Sequence, residues 1–106
     1  MDELKIADLQ KLCGENKIKW TLHALKRLRE RKIKSGEIVS CIMSGAIIEQ
    51  YPDDKPLPSC LINGKSGNKA IHAVVSSDIN EMYIITAYEP NPDEWENDFS
   101  QRKESK

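Results

Sequence analysis

No apolar run in this chain approaches the roughly 20 residues that a bilayer-crossing helix needs, so no membrane-crossing helix is expected. The start, Met1-Asp2-Glu3, has no apolar signal core, and no secretory peptide is expected. Cysteine is scarce: Cys13, Cys41 and Cys60 are odd in number, widely spaced and free of any CxxC pair. That pattern offers neither a disulfide framework nor a zinc site, and reduced thiols in a cytoplasm are expected. Only two histidines are present, His23 and His72, and Asp53-Asp54 lacks ligand spacing, so no metal and no cofactor are expected. Gly64-Lys65-Ser66-Gly67 lacks the spacing and following helix of a phosphate loop. No nucleophile elbow supports a Ser/His/Asp triad. There are no internal repeats and no low-complexity segment.

What remains is a chain with 39% hydrophobic and 31% charged residues, the balance of one globular domain spanning residues 1–106. A net charge of −1 hides an uneven distribution. Residues 17–34 carry eight Lys/Arg against Glu30 alone, a net of +7. Residues 89–106 carry a net of −3, and 91–106 reads as an acidic, partly disordered C-terminal extension. A local basic field attracts polyanions even in a near-neutral protein. A solvated helix face explains the same charges.

Apolar spacing predicts three helices and then four strands. Residues 2–14 form the first helix, with Leu4, Ile6, Leu9, Leu12 and Cys13 inward and Gly14 with Asn16 as the stop. Lys17–Trp20 is a short connector, compatible with extended backbone. Thr21 caps a second helix running to about Lys32, with Leu22, Leu25 and Leu28 as its apolar stripe. Ser35 caps a third, Gly36–Ser44, which Gly45 ends; Ile38, Val39, Ile42 and Met43 are its apolar set. Strands follow at Ala46–Tyr51, Ser59–Asn63, Lys69–Ser76 and Glu81–Tyr88, with a hairpin loop over Gly64–Asn68. In the last strand, Ile84, Thr86 and Tyr88 alternate against Tyr83, Ile85 and Ala87. Asp93–Phe99 is expected to add a helical turn. The fold class is α+β: N-terminal helices on a four-stranded antiparallel meander sheet, order 1-2-3-4.

One constellation stands out. His23, Arg27 and Arg31 recur every four residues on the second helix, away from its leucine stripe. Metal-free RNA cleavage needs a base, an acid and cations to stabilise the phosphorane. Histidine titrates near neutrality, and arginine offers phosphate a bidentate fork. His72 sits mid-strand with Ala70 and Val74, and alternation leaves open which face is buried. On an open face it is the natural partner of His23; on a buried one it is a core histidine. Thr86 and Tyr88 share a face near the chain's last strand end, and a tyrosine there either packs or contacts phosphate and base. Tyr51 and Lys55 flank the first inter-strand loop and are weak candidates for the same cleft. Lys26 and Lys34 are candidate substrate contacts. Trp20 reads as a core lid.

The run Thr21–Ile33 resembles the S/T-x-H-A-x-x-R-x-x-x-R-x-I signature of the DUF4258 family. The resemblance extends over about residues 18–95. It includes Gly45, Ile47-Ile48-Glu49-Gln50-Tyr51 followed by Pro52-Asp53-Asp54, Ile71-His72-Ala73-Val74-Val75, and Ile84-Ile85-Thr86-Ala87-Tyr88-Glu89-Pro90. It implies a small bacterial or archaeal protein related to RelE/barnase-like (BECR-fold) toxin ribonucleases. Such toxins cleave RNA without metal and pair with an antitoxin carrying a zinc finger or helix-turn-helix. The matching positions are His23, Arg27, Arg31, His72, Thr86 and Tyr88, with His23 expected as the acid/base group, Arg27 and Arg31 as the phosphate clamp, and His72 or Tyr88 as the second proton-transfer group. The extension after Glu89 lies outside the motif and is a candidate to occupy the cleft. Two other readings fit the residues: a non-catalytic nucleic-acid or protein binding module, and a structural domain whose His/Arg face pairs with the acidic tail.

Overall fold

In the computed structural model, residues 3–103 are described, so the expected helix start at Asp2 and the last tail residues, 104–106, lie outside it. The elements follow in the order α1 (Ile6–Gly14), β1 (Ile18–Trp20), α2 (Leu22–Arg31), α3 (Ser35–Ser44), β2 (Ala46–Tyr51), β3 (Ser59–Ser66), β4 (Lys69–Ser77) and β5 (Met82–Tyr88). The helices lie in the N-terminal half, as expected, but the short strand β1 intervenes between α1 and α2. The sheet, however, has five strands in the order β1-β5-β4-β3-β2 and is mixed rather than antiparallel. The meander of β2 to β5 is antiparallel; the expected connector at Lys17–Trp20 is a fifth strand, β1, running parallel to β5. Three residues are too few to show alternation. Their place is set by pairing, with Ile18 opposite Met82 and Trp20 opposite Ile84.

α1 begins later than its apolar spacing suggests. The side chain of Gln50 holds Leu4 extended, its Oε1 accepting from the Leu4 N–H at 3.1 Å and its Nε2 donating to the Leu4 carbonyl at 2.8 Å. Asn16, in the left-handed region at φ 60°, ends the helix rather than Gly14. Thr21 caps α2 as expected: its hydroxyl accepts from the Ala24 N–H at 2.9 Å and donates to the Ile84 carbonyl at 3.2 Å, tying the helix start to β5. Lys32, at φ 58°, closes α2, and the Ile33 N–H reaches back to the Leu28 carbonyl at 2.9 Å. α3 starts one residue earlier than expected, after Lys34, whose N–H donates to the Glu37 carboxylate at 2.8 Å.

One face of the sheet carries the helices. α3 crosses β3 and β4, α2 lies along β5, and α1 packs on α3. Leu9, Ile38, Cys41 and Ile42 meet Cys60, Ile62, Ile71, Ala73, Val75, Met82 and Ile84 in one buried cluster. Each large side chain there contributes roughly 1.5–3 kcal/mol by leaving water. α2 buries Ala24 and Leu28, while Leu22 is 86% and Leu25 45% exposed. The expected leucine stripe is therefore misplaced around the helix. Because a helix turns about 100° per residue, a face centred on Ala24 and Leu28 brings Arg31 to the edge of the core and leaves Leu22 outward. Met43, expected inward on α3, is likewise exposed, and Cys41 is buried in its stead.

β3 extends past its expected end through Gly64, which is no loop residue. Gly64 lies opposite Ile71, and a Cβ there would collide with the Cys41 backbone. At Gly45 a Cβ would come within 2.5 Å of the Cys41 carbonyl oxygen. These two glycines let α3 lie directly on β3.

Candidate functional site

The second sheet face points away from the helices. Partners across the ladder share a face, which groups Asn63 with His72 and Tyr88, Glu49 with Leu61, Val74 and Thr86, and Tyr51 with Ser59, Ser76 and Tyr83. Two bulges decide these groupings. Irregularity at Ile48 turns both Glu49 and Tyr51 to this face, and irregularity at Ile85 puts Thr86 and Tyr88 here while Ile84 turns to the core. Strict alternation had placed Ile84 with Thr86 and Tyr88; the inserted Ile85 separates them.

His72 is fully buried at the centre of this face. Its Nε2 lies 2.9 Å from the Phe99 carbonyl oxygen, which can only accept, so Nε2 carries the proton of the neutral ring. Nδ1 is then the acceptor for the Tyr88 hydroxyl at 3.3 Å. Burial holds the His72 pKa below its usual value, opposed by the Phe99 carbonyl and the Glu49 charge. Burial also raises the Tyr88 pKa, so its phenol stays protonated. Arg31 reaches from the end of α2 to the rim of the face. Its Nη1 donates to the Thr86 hydroxyl at 3.1 Å and the Ala87 carbonyl at 2.8 Å, a carbonyl that the short β1 leaves unpaired at the sheet edge.

The cover over this face is the chain's own end. Residues 91–103 form a hook: a single turn, closed by the Trp95 N–H on the Asn91 carbonyl at 3.1 Å, stands earlier than expected and does not continue to Phe99, and the two arms are joined by the Trp95–Arg102 bridge and by the Glu96 N–H to the Gln101 carbonyl at 2.8 Å. Trp95, only 2% exposed, stands edge-on to the His72 ring with centroids 4.4 Å apart. Asn63 Nδ2 donates to the Asp98 carbonyl at 3.0 Å. Arg102 lies 4.6 Å from the centre of the Trp95 ring and pairs with Glu49 through Nε at 2.9 Å and Nη2 at 3.2 Å. Glu49 also accepts from the Tyr51 hydroxyl. The Arg102 hydrogen bond keeps the Glu49 carboxyl below its ordinary pKa, against the effect of burial.

The structure thus brings together His72, Tyr88, Thr86, Arg31 and Tyr51 of the expected residues. His23, Lys26 and Lys34 are exposed, and among the described residues no hydrogen bond or ion pair joins their side chains to this group. Both nitrogens of His72 are occupied by Tyr88 and Phe99, so its partner is not His23. Arg27 pairs with Glu30 at 3.0 Å on its own helix. Lys55 lines a groove of about 840 Å³ between α1 and the loop after β2, apart from Tyr51. Among the described residues the tail's carboxylates form no ion pair with α2, and Arg102 anchors the hook on Glu49. Among the described residues no three His, Cys, Asp or Glu side chains gather as a metal-binding group.

Glu49, Asn63, Trp95, Phe99 and Arg102 were not foreseen. Trp95 and Phe99 left a signal, because a merely solvated acidic tail has no use for two large aromatic side chains. A model of the DUF4258 family, a domain of unknown function, matches residues 20–89. No curated protein and no solved structure matches the chain.

Proposed function

The chain belongs to the DUF4258 family, and on the geometry of its second sheet face we propose that it cleaves RNA without a metal. The observation that carries this reading is the Tyr88 hydroxyl bonded to His72 at 3.3 Å with Arg31 at the rim of the same face. A neutral imidazole can take the 2′-hydroxyl proton as that oxygen attacks phosphorus. A protonated phenol can return a proton to the departing 5′-oxygen. Arg31 supplies fixed positive charge for the phosphorane, and His23, Arg27, Lys26 and Lys34 lie along or beyond α2 to guide the backbone. The relation to RelE/barnase-like toxins that the DUF4258 resemblance implies is the ground for placing the chain in the cytoplasm as the toxin of a type II toxin–antitoxin pair. Its antitoxin, with a zinc-finger or helix-turn-helix domain, is the proposed protein partner. No helix among the described residues is long and apolar enough to cross a membrane.

The test is cleavage of single-stranded RNA in EDTA, with a 2′-deoxy strand as control. Products ending in a 2′,3′-cyclic phosphate, absent with the deoxy strand and lost in His72→Gln, are expected. A second reading, a binding module without catalysis, is favoured by one observation: no buried polar side-chain atom lacks a partner among the described residues, His72 included. Salt-sensitive RNA binding with no cleavage, even when the hook is loosened, would transfer the assignment to that module.

A further inference from the structure

Residues 91–103 occupy the second sheet face with a specific set of groups. Trp95 places an aromatic ring against His72, Phe99 and Asp98 place carbonyl oxygens on the donors of His72 and Asn63, and Arg102 bridges Trp95 to Glu49. An aromatic ring flanked by oxygen acceptors is what a stacked nucleobase with its sugar and phosphate oxygens presents. The hook is also acidic: Asp93, Glu94, Glu96 and Asp98 are all exposed along it, so it brings negative charge to the face that a nucleic acid strand would bring.

We propose that this segment is a displaceable internal mimic of single-stranded RNA, with Trp95 seated where a base stacks, so that strap and RNA compete for one face. This rests on the RNA reading above and adds how the site is closed. Two observations make the strap displaceable. It has no regular secondary structure, only one bridge, and its polar anchors reach Asn63 and Glu49, half-buried at the rim, with Arg102 itself exposed. With His72 fully buried beneath it, RNA cannot reach the His72–Tyr88 pair until the strap leaves.

The experiment uses the full chain carrying Trp20→Phe, which leaves Trp95 as the sole tryptophan, and a short 2′-O-methyl RNA strand that cannot be cleaved through the 2′-oxygen. Saturating RNA is expected to shift Trp95 emission to the red and open it to acrylamide. Arg102→Ala removes an exposed ion pair and a cation from the Trp95 ring, and is expected to tighten RNA binding about tenfold. The sign is diagnostic, because losing a cation that merely attracted phosphate would weaken binding. RNA that binds with Trp95 emission unmoved, and no tighter to Arg102→Ala, overturns the strap and leaves the RNA site standing. If Arg102→Ala exposes Trp95 and still neither binds nor cleaves RNA, the RNA reading itself fails and the mimicry falls with it.

Discussion

Tyr88 directs its hydroxyl proton at Nδ1 of His72, 3.3 Å away, because the Phe99 carbonyl already holds the proton on Nε2. The pair is thus set in one tautomer by a residue from the chain's end. A carbonyl can accept and never donate, so the arrangement holds only while His72 is neutral at Nδ1.

Acid should therefore unseat the strap. The folded pKa of His72 lies below the usual 6.5, with burial the largest cause. The unfolded chain then binds more protons than the folded one, and the stability that neutral His72 contributes is present above pH 6.5 and lost as pH falls below it toward the folded value. The groups facing the ring are Tyr88, Trp95, the Phe99 carbonyl and the Glu49–Arg102 pair. Glu49, held below its ordinary 4.5, adds its own loss only at still lower pH. Trp95 emission in a Trp20→Phe background should shift to the red on acidification through this first window. His72→Gln, which keeps a donor toward Phe99 but does not titrate, should flatten that first step. An unchanged acid transition in His72→Gln would remove the imidazole from the account.

The helix that carries the family signature makes a second prediction. Leu28 is 3% exposed and Leu22 is 86% exposed. Leu28→Ala should cost about 2–5 kcal/mol, and Leu22→Ala should stay within about 0.5 kcal/mol, in urea unfolding. Equal losses at both positions would mean that the leucine stripe, not the Ala24–Leu28 face, meets the sheet.

The same helix shows where the sequence could be read and where it could not. Thr21 as a cap and the β2-to-β5 meander follow from local chemistry, and local chemistry is visible in a sequence; Gly45 does end α3, but with extended backbone, and it is needed for the close approach of Cys41 and not as a left-handed cap. The buried face of α2 does not, because a small residue, Ala24, is chosen for close approach and a large one, Leu22, is left outside. β1 pairs with a strand more than sixty positions away, and three residues carry no periodicity. The bulges at Ile48 and Ile85 shift register without any glycine or proline to announce them. Half of the candidate site was legible: His72, Tyr88, Thr86 and Arg31 meet at one face. Glu49 was hidden in an apolar strand, and the strap was hidden by its acidic composition.

Gly64 provides a third test, on the helix-bearing side of the sheet. Its missing side chain is where the Cys41 backbone sits, so a methyl group has to push α3 off β3. Gly64→Ala should destabilise by about 2–3 kcal/mol, a cost of overpacking. Gly36, on the same helix with nothing within 4 Å of its Cβ position, is the control, and Gly36→Ala should be neutral or stabilising. A neutral Gly64→Ala would show that α3 does not lie this close to the strand.

The placement of the chemistry is decided by ranking three variants on RNA cleavage. His72 is bonded to Tyr88, whereas His23 is exposed and joined to neither. With chemistry at His72, His72→Gln should lower kcat by about 100-fold or more, the scale of a lost acid or base. His23→Ala should act mainly on KM, because a rim residue contributes to capturing the strand and not to proton transfer. Arg31→Lys keeps the charge but loses the planar guanidinium, whose Nη1 holds both Thr86 and Ala87 while its other nitrogens can meet phosphate, so kcat should fall further than the retained charge alone would suggest. Thermal unfolding of each variant separates lost chemistry from a lost fold. If His23→Ala abolishes turnover while His72→Gln leaves kcat intact, the reacting phosphate lies on α2 and not on the sheet.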